Sequence, residues 1–192
     1  MPHHVIYVPG LGDYKPRGQH LVMGYWQLFG IRGHYLPMQW RQGTFGPKLD
    51  ALLKAIDDLV ATGESVSLVG TSAGASAVLL AYAARPTIAS VAIICGKVNH
   101  PETIATNIYL ENAAFKESLA LLQRTLPAIT PDARSRILSV RPLYDGTVPV
   151  LDTYILGAQQ AILPTIGHAF SIMFALIFYA PWIVRFLKRP LS

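Results

Sequence analysis

The sequence predicts a single α/β domain over residues 1–192, with a doubly wound, mostly parallel six-stranded sheet that carries helices on both faces. One observation behind this prediction is that short apolar runs alternate with segments of helical periodicity along the whole chain. The other is a G-x-S-x-G pentapeptide at 70–74, which lies where a strand-like run passes directly into a helix-like run. No repeat or linker divides the sequence, so we expect one core.

Four strands and three helices are expected in the first half of this fold. The strands are predicted at 3–8, 34–38, 65–69 and 90–95, and the helices at 18–29, at 48–60 and from the pentapeptide to 85. The run 90–95 is continuously apolar, which is typical of a central parallel strand. The segment 48–60 has apolar residues at helical spacing.

The second half continues the alternation, with one long helical insertion. Residues 101–134 have an approximate apolar stripe, and because the segment is long for a plain crossover we expect part of it to form a small lid over the strand ends. A fifth strand is predicted at 137–140, a short helix at 148–156 and a sixth, edge strand at 161–164 that tolerates Pro164. A closing helix follows at 169–187.

Three side chains of this sequence have the order and placement of a catalytic triad. Ser72 is the central residue of the pentapeptide, Asp145 follows the fifth predicted strand, and His168 follows the sixth. Functional groups of an open α/β sheet collect beyond the carboxyl ends of its strands, so these three are expected to meet. Each has an alternative interpretation: Ser72 as a helix cap, Asp145 as the turn former of an Asp-Gly pair, and His168 as a cap of the last helix.

The sequence resembles a small member of the α/β-hydrolase superfamily, over nearly the whole chain. The resemblance implies that the usual first two strands are missing, because 5–8 aligns with the third strand of the family. Thr71 and Pro9 stand where the family often has histidine, which leaves the subfamily and the substrate open. The motifs that carry the resemblance are PGLG at 9–12, GTSAG at 70–74, DGTVP at 145–149 and GH at 167–168.

The chemistry of these groups predicts a nucleophilic mechanism without a cofactor. His168 is expected to accept the proton of Ser72 and return it to the leaving group, while Asp145 fixes the imidazole tautomer. The oxyanion is expected to be held by the backbone N–H groups of Ala73 and Leu11. The glycines expected to give clearance at the elbow are Gly70 and Gly74, and those expected to let the oxyanion loop approach the substrate are Gly10 and Gly12.

The predicted function is a serine hydrolase for carboxylic esters, of esterase or lipase-like type. Thioesters and amides stay open as substrates, as does a lyase or haloperoxidase reaction on the same residues. A non-catalytic binding or scaffolding protein of this fold is the alternative from another class. An apolar acyl group is expected, because the apolar side chains of 104–126 would roof the site. Asp13, Asn99 and His100 either line its mouth or are ordinary polar loop residues.

Composition limits the partners of this chain. Of its residues 52% are hydrophobic and 14% charged, with a formal net charge of +5. The basic residues are scattered, so no nucleic-acid partner is expected, and the histidines lack paired metal-ligand spacing, so no metal is expected. His3 and His4 are expected to start the first strand or to be exposed. Cys95, the one cysteine, lies in an apolar run, which predicts a buried, inert thiol.

The segment 169–189 is hydrophobic around its whole circumference, unlike an amphipathic closing helix. Its outer face needs an apolar partner: a membrane surface, a second copy of the chain, or other loops of the same chain. We favour a membrane surface, with Tyr179 and Trp182 at the interface and basic residues near anionic headgroups. An apolar run within a few residues of Met1 leaves no room for a signal peptide. The expected location is therefore cytoplasmic, peripheral at the inner membrane surface.

Overall fold

A six-stranded parallel sheet forms the centre of the computed structural model, which describes residues 3–14 and 18–189. Its strands are β1 (His3–Val8), β2 (Ile31–Tyr35), β3 (Ser65–Thr71), β4 (Val91–Ile94), β5 (Ile137–Tyr144) and β6 (Gln159–Ile166). In space they follow the order β2-β1-β3-β4-β5-β6, and all five neighbouring pairs are parallel. The strand order reverses between β1 and β3, which is where an open α/β sheet places its ligand site.

Helices cover both faces of this sheet. They are α1 (Gln19–Trp26), α2 (Gly46–Val60), α3 (Gly74–Ala84), α4 (Thr106–Glu111), α5 (Ala113–Thr125), α6 (Pro131–Ser135), α7 (His168–Phe178) and α8 (Ala180–Leu187). Buried residues of α2, α3 and α5 join one apolar core with one face of the strands, and those of α1, α7 and α8 join a second core with the other face. Successive residues of a strand point to opposite faces, so a continuous apolar run such as β4 contributes to both cores. The predicted fold class is confirmed.

Several element boundaries differ from the prediction. The strand β2 begins three residues before the predicted 34–38, because Gly30 takes a left-handed φ of 72° and ends the preceding turn. The predicted helix at 148–156 is only a short 3-10 turn, Val150–Thr153. The strand β6 extends beyond 161–164 in both directions, and Pro164 is accepted because β6 is an edge strand.

The insertion 101–134 packs mainly as a layer of the protein rather than as a lid over the strand ends. Its longest helix, α5, lies against α3 and buries Ala114, Phe115, Leu119 and Leu122 in the core that α2 and α3 share. These residues supply the apolar stripe seen in the sequence. The stripe therefore reflects core packing, which has the same periodicity as a roof over a site.

The C-terminal apolar segment forms two helices instead of one. The axes of α7 and α8 are bent by 70°, and the break falls at Tyr179, with Pro181 in the first turn of α8 where it costs no hydrogen bond. In the described part of the chain, no single helix combines the length and hydropathy of a membrane span, whereas the bent pair α7 and α8 does so jointly.

Two histidines, His3 and His4, start β1, which is one of the two alternatives expected for them, and both are buried rather than exposed. His3 shares a hydrogen bond of 2.9 Å with Ser67 of β3, and burial lowers the pKa of His3 to about 4. His4 lies between His34, at 2.7 Å, and Glu64. These contacts join the amino-terminal end of β1 to β2 and to the start of β3, away from Ser72.

Candidate active site

Ser72 occupies a sharp turn between β3 and α3. Its φ of 52° lies in the left-handed region, which a non-glycine residue adopts only when its surroundings enforce it. A Cβ on Gly70 would lie 2.6 Å from Val78 Cγ2, and one on Gly74 would lie 2.8 Å from the carbonyl oxygen of Pro9. Both glycines therefore supply the clearance that the sequence predicted, and the turn projects the serine hydroxyl beyond the carboxyl end of β3.

The structure brings the three predicted triad side chains into one hydrogen-bonded chain. Ser72 Oγ lies 2.9 Å from His168 Nε2, and His168 Nδ1 lies 2.7 Å from Asp145 Oδ2. An ionised carboxylate can only accept, so Nδ1 carries the hydrogen and donates it to Asp145, while Nε2 is left to accept from the serine hydroxyl. This is the tautomer that a histidine base requires.

Asp145 acts as a turn former at the same time. Its other oxygen, Oδ1, accepts the backbone N–H groups of Thr147 at 2.8 Å and Val148 at 3.0 Å. The two interpretations of Asp145 are therefore compatible. One carboxylate oxygen accepts from His168, and the other accepts from the backbone of the turn. The carboxylate is buried, and these bonds fix its orientation toward His168.

His168 is the first residue of α7, and the chain before it is fixed to the loop of Asp145. Gly167 has a φ of 91°, and its N–H donates to the carbonyl of Tyr144 at 2.9 Å. Ser171 donates its hydroxyl hydrogen to the carbonyl of Gly167, one turn along the helix. The acid loop and the histidine loop are thus hydrogen-bonded to each other, which supports the position of the imidazole beside Ser72.

The loop after β1 is packed against the serine. A Cβ on Gly10 would lie 2.8 Å from Ser72 Cβ, so glycine is needed there for contact with the elbow itself. Trp40 Nε1 donates to the carbonyl of Pro9 at 3.1 Å and holds the loop in place. A Cβ on Gly12 would meet no atom within 4 Å in the described structure, so the predicted need for close approach at Gly12 has no counterpart among the protein contacts.

A cavity of about 350 Å³ lies beside the triad. Leu11 borders this cavity, and Ala73 follows the nucleophile at the start of α3. Their assignment to the oxyanion hole stays a prediction. The described residues that line the cavity include none from 101–134, and none of Asp13, Asn99 and His100. They are Tyr7, Gly10, Leu11, Gly12, Thr71, Ser72, Thr147, His168, Ala169, Ile172 and Met173.

Two polar residues of this cavity were not assigned a role from the sequence. Tyr7 is the next-to-last residue of β1, and its hydroxyl lies 3.1 Å from Thr71 Oγ1, the neighbour of the nucleophile. Burial raises the pKa of Tyr7 to about 12, so its phenol stays protonated. The signal for Tyr7 was its place at the end of a strand, and Thr71 was visible as a departure from the family pattern. Asp13, Asn99 and His100 bond to loop atoms instead.

Cys95 lies next to the triad, and its sulfur, an Asp145 oxygen and a His168 nitrogen are all within 4.8 Å of one another. These donor types suit a metal such as zinc, but their present bonding does not. Both nitrogens of His168 are engaged, one by Asp145 and one by Ser72. Burial, together with the charge of Asp145, raises the pKa of the Cys95 thiol to about 12, so the thiolate that a metal needs is disfavoured.

Comparison with known proteins identifies solved structures that share this fold. No family model matches the sequence, and no curated protein does. Solved structures do match: one of the metagenome-derived lipolytic enzymes LipS and LipT has a TM-score of 0.72 at 12% identity, over 97% of this chain and 93% of that one. The α/β hydrolase GrgF from Penicillium sp. sh18 has a TM-score of 0.71 at 14% identity, over 98% and 90%.

The esterase domain of a Rhodothermus marinus protein also matches, with a TM-score of 0.68 at 15% identity over 96% of this chain and 88% of that one. Identities this low establish the architecture, while the chemistry has to be argued from the side chains. The chain therefore has the α/β-hydrolase fold in a compact form, as the sequence resemblance implied.

Proposed function

We propose that this protein is a serine hydrolase that cleaves carboxylic esters, of esterase or lipase-like type. The observation that carries the proposal is the continuous hydrogen-bonded chain from Ser72 through His168 to Asp145 on a nucleophile elbow. An elbow of this kind stores backbone strain, and strain of that sort is kept where a side chain must be presented to a substrate. A serine that only capped a helix would not need a strained backbone conformation.

The proposed reaction begins when Ser72 Oγ attacks the ester carbonyl and gives its proton to His168 Nε2. The tetrahedral intermediate collapses as His168 returns that proton to the leaving alcohol, which leaves an acyl group on Ser72. Water then attacks the acyl group with His168 again as base, and the acid is released. Asp145 stays ionised and stabilises the imidazolium in both steps.

The negative charge on the carbonyl oxygen needs donors that are already in place. The N–H of Ala73 and the N–H of Leu11 are the proposed pair, because one follows the nucleophile and the other belongs to the loop packed against Ser72 by way of Gly10. Losing one such donor typically costs about 3 kcal/mol of transition-state stabilisation.

Esters come before other acyl compounds in this proposal because the similar solved structures include lipolytic enzymes and an esterase domain. Thioesters and amides belong in the same substrate panel, since the same residues can attack them. The competing proposal is a non-catalytic binding protein of this fold. The complete and correctly oriented triad argues against it.

The direct test is to incubate the purified protein with a fluorophosphonate probe, which traps an activated serine. We expect one adduct per chain, located on Ser72 by peptide mapping, because His168 activates only that hydroxyl. The Asp145→Asn variant should label much more slowly, since it no longer fixes the imidazole tautomer. The Ser72→Ala variant should not label.

Two outcomes would overturn the proposal. A folded protein that takes up no probe would favour the non-catalytic binding protein. An adduct on Ser76 or another serine would show that the nucleophile is assigned wrongly.

The outer face of α7 and α8 suggests where the protein acts. Phe170 and Phe178 are more than 60% exposed and Trp182 is 42% exposed, although all three are large and apolar. The aromatic rings of this face contact one another in a ladder that runs from α7 into α8. We propose that this face lies on an anionic lipid surface. An exposed apolar surface needs an apolar partner, and the boundary between lipid headgroups and acyl chains suits aromatic side chains.

The charges of this region fit that partner. The sequence has no acidic residue after Asp152, and Arg185, Lys188 and Arg189 are all exposed at or just after the end of α8. Each basic residue near an anionic membrane contributes roughly 1 kcal/mol. A second copy of the chain is the competing partner, but it would bring these like charges together.

Flotation with anionic liposomes tests the membrane proposal. We expect the wild-type protein to float with the vesicles and a Phe178→Glu, Trp182→Glu double variant to stay behind. The matched control is Leu110→Glu, Leu143→Glu, which changes two exposed apolar residues outside α7 and α8 and should float like wild type. If wild type stays with the soluble fraction and sediments as a dimer that the first variant dissociates, the face is a dimer interface instead.

A further inference from the structure

An apolar groove separates α1 from α7 beside the candidate active site. It is a cavity of about 280 Å³ at the surface. Trp26 Nε1 donates to the carbonyl of Leu176 at 2.8 Å and fastens the two helices together in the core. The residues that line the groove are Gly18, Leu21, Val22, Tyr25, Met173 and Ile177.

This groove adjoins the cavity at the triad. Met173 lines both spaces, and Ile172 lines the triad cavity next to it. A substrate whose carbonyl carbon lay at Ser72 could therefore extend its chain past Met173 and along α7 toward Ile177. The path lies on the α1 and α7 face of the sheet. The expected roof, residues 104–126, packs mainly on the other face.

The lining of the groove is suited to a hydrocarbon chain. Among the described lining residues none is charged, and apart from the phenol of Tyr25 their side chains are apolar. Ile177 lies nine positions after His168 on α7, which is about 13.5 Å along a helix axis. An extended chain that gains about 1.2 Å per bond covers this distance with roughly ten carbons.

We propose that the groove between α1 and α7 binds the acyl chain of the substrate, and that Met173 and Ile177 set the chain length. This inference rests on the proposed ester hydrolase activity. It assigns medium-chain esters of about six to ten carbons as the substrate class, because a longer chain would pass beyond Ile177. Each methylene that the groove buries is expected to raise kcat/KM about fourfold, which corresponds to about 0.8 kcal/mol.

The first experiment measures kcat/KM for p-nitrophenyl esters of two to twelve carbons, each below its micelle concentration. Wild type should improve with chain length until about ten carbons. Met173→Trp, which fills the space where the two cavities adjoin, should lose at least tenfold more activity on the ten-carbon ester than on the acetyl ester. Ile177→Trp, at the far end, should affect only the longest chains.

The matched control is Phe178→Trp, because Phe178 follows Ile177 on α7, is exposed and does not line the groove. Its chain-length profile should equal that of wild type. A flat wild-type profile, or an equal loss on all esters in Met173→Trp and Phe178→Trp, would overturn the groove assignment.

The second experiment separates the groove from catalysis. Calorimetric titration of the Ser72→Ala protein with decanoate should show binding that Met173→Trp weakens at least tenfold and Phe178→Trp leaves unchanged. Fluorophosphonate labelling without decanoate binding would overturn the groove and leave the hydrolase proposal standing. Decanoate binding without labelling would overturn the hydrolase proposal and leave the groove assignment standing.

Discussion

Replacing Ser72 with alanine is expected to lower kcat/KM for ester hydrolysis about 10⁴-fold or more, and adding His168→Ala to that variant should lower it little further. The reason is that the two residues perform one step together: without the nucleophile there is no proton for the base to take. Their distance of 2.9 Å places them in one unit, and residues in one unit give strongly non-additive losses. The measurement is a double-mutant cycle on kcat/KM.

The control for this cycle is Ser67→Ala. Ser67 lies in β3, the strand that leads to Ser72, and its hydroxyl donates to the carbonyl of Leu187 at 3.0 Å. This variant should lose stability, by about 1 kcal/mol, and retain activity. Losses that multiply in the Ser72 and His168 double variant would argue against a shared mechanism, provided that all variants keep the wild-type circular dichroism spectrum.

The elbow could be predicted from the sequence because its constraints are local. A left-handed serine between a strand and a helix requires small residues two positions before and after it, and that spacing is visible in Gly70 and Gly74. The placement of Asp145 and His168 needed one further rule, that parallel strands end at the same edge of a sheet. Their hydrogen bonds follow from that topology.

The lid could not be judged from the sequence, because core packing and a roof over a site share one periodicity. The apolar stripe of α5 was visible in the sequence, but only the structure shows that it faces α3. The groove between α1 and α7 was hidden for a related reason. It is formed by two segments about 150 residues apart in the chain, and neither α1 nor α7 has a sequence signal for the space between them.

A buried ion pair beside the site was also missed. Lys97 follows β4, and its ammonium donates to the carboxylate of Asp152 and, at 2.6 Å, to Thr103 Oγ1. The side chains are 5% and 3% exposed, and His100 Nδ1 lies 2.6 Å from the other oxygen of Asp152. Lysine next to an apolar strand is usually a solvated residue, so no pattern in the sequence indicated that Lys97 is buried.

This ion pair fixes two loops that border the triad. The backbone N–H of Lys97 donates to the carbonyl of Ser72 at 3.2 Å, and the N–H groups of Val98 and Asn99 donate to the carbonyl of Asp152 at 2.8 and 3.1 Å. The loop that ends at Asp152 is the one that begins with Asp145. The nucleophile elbow and the acid loop are thus joined through these bonds as well as through His168.

Lys97→Met is therefore expected to lower the free energy of unfolding by about 3–5 kcal/mol, because it leaves the Asp152 carboxylate buried without its cation. Chemical denaturation measures this loss.

The matched control is Lys54→Met, which removes a cation from an exposed pair with Asp58 at 2.6 Å and should cost no more than about 0.5 kcal/mol. A double variant, Lys97→Met with Asp152→Leu, should recover part of the loss, since it removes the stranded charge. If Lys97→Met costs no more than Lys54→Met, the pair does not contribute to holding these loops, and His100 and Thr103 satisfy Asp152 alone.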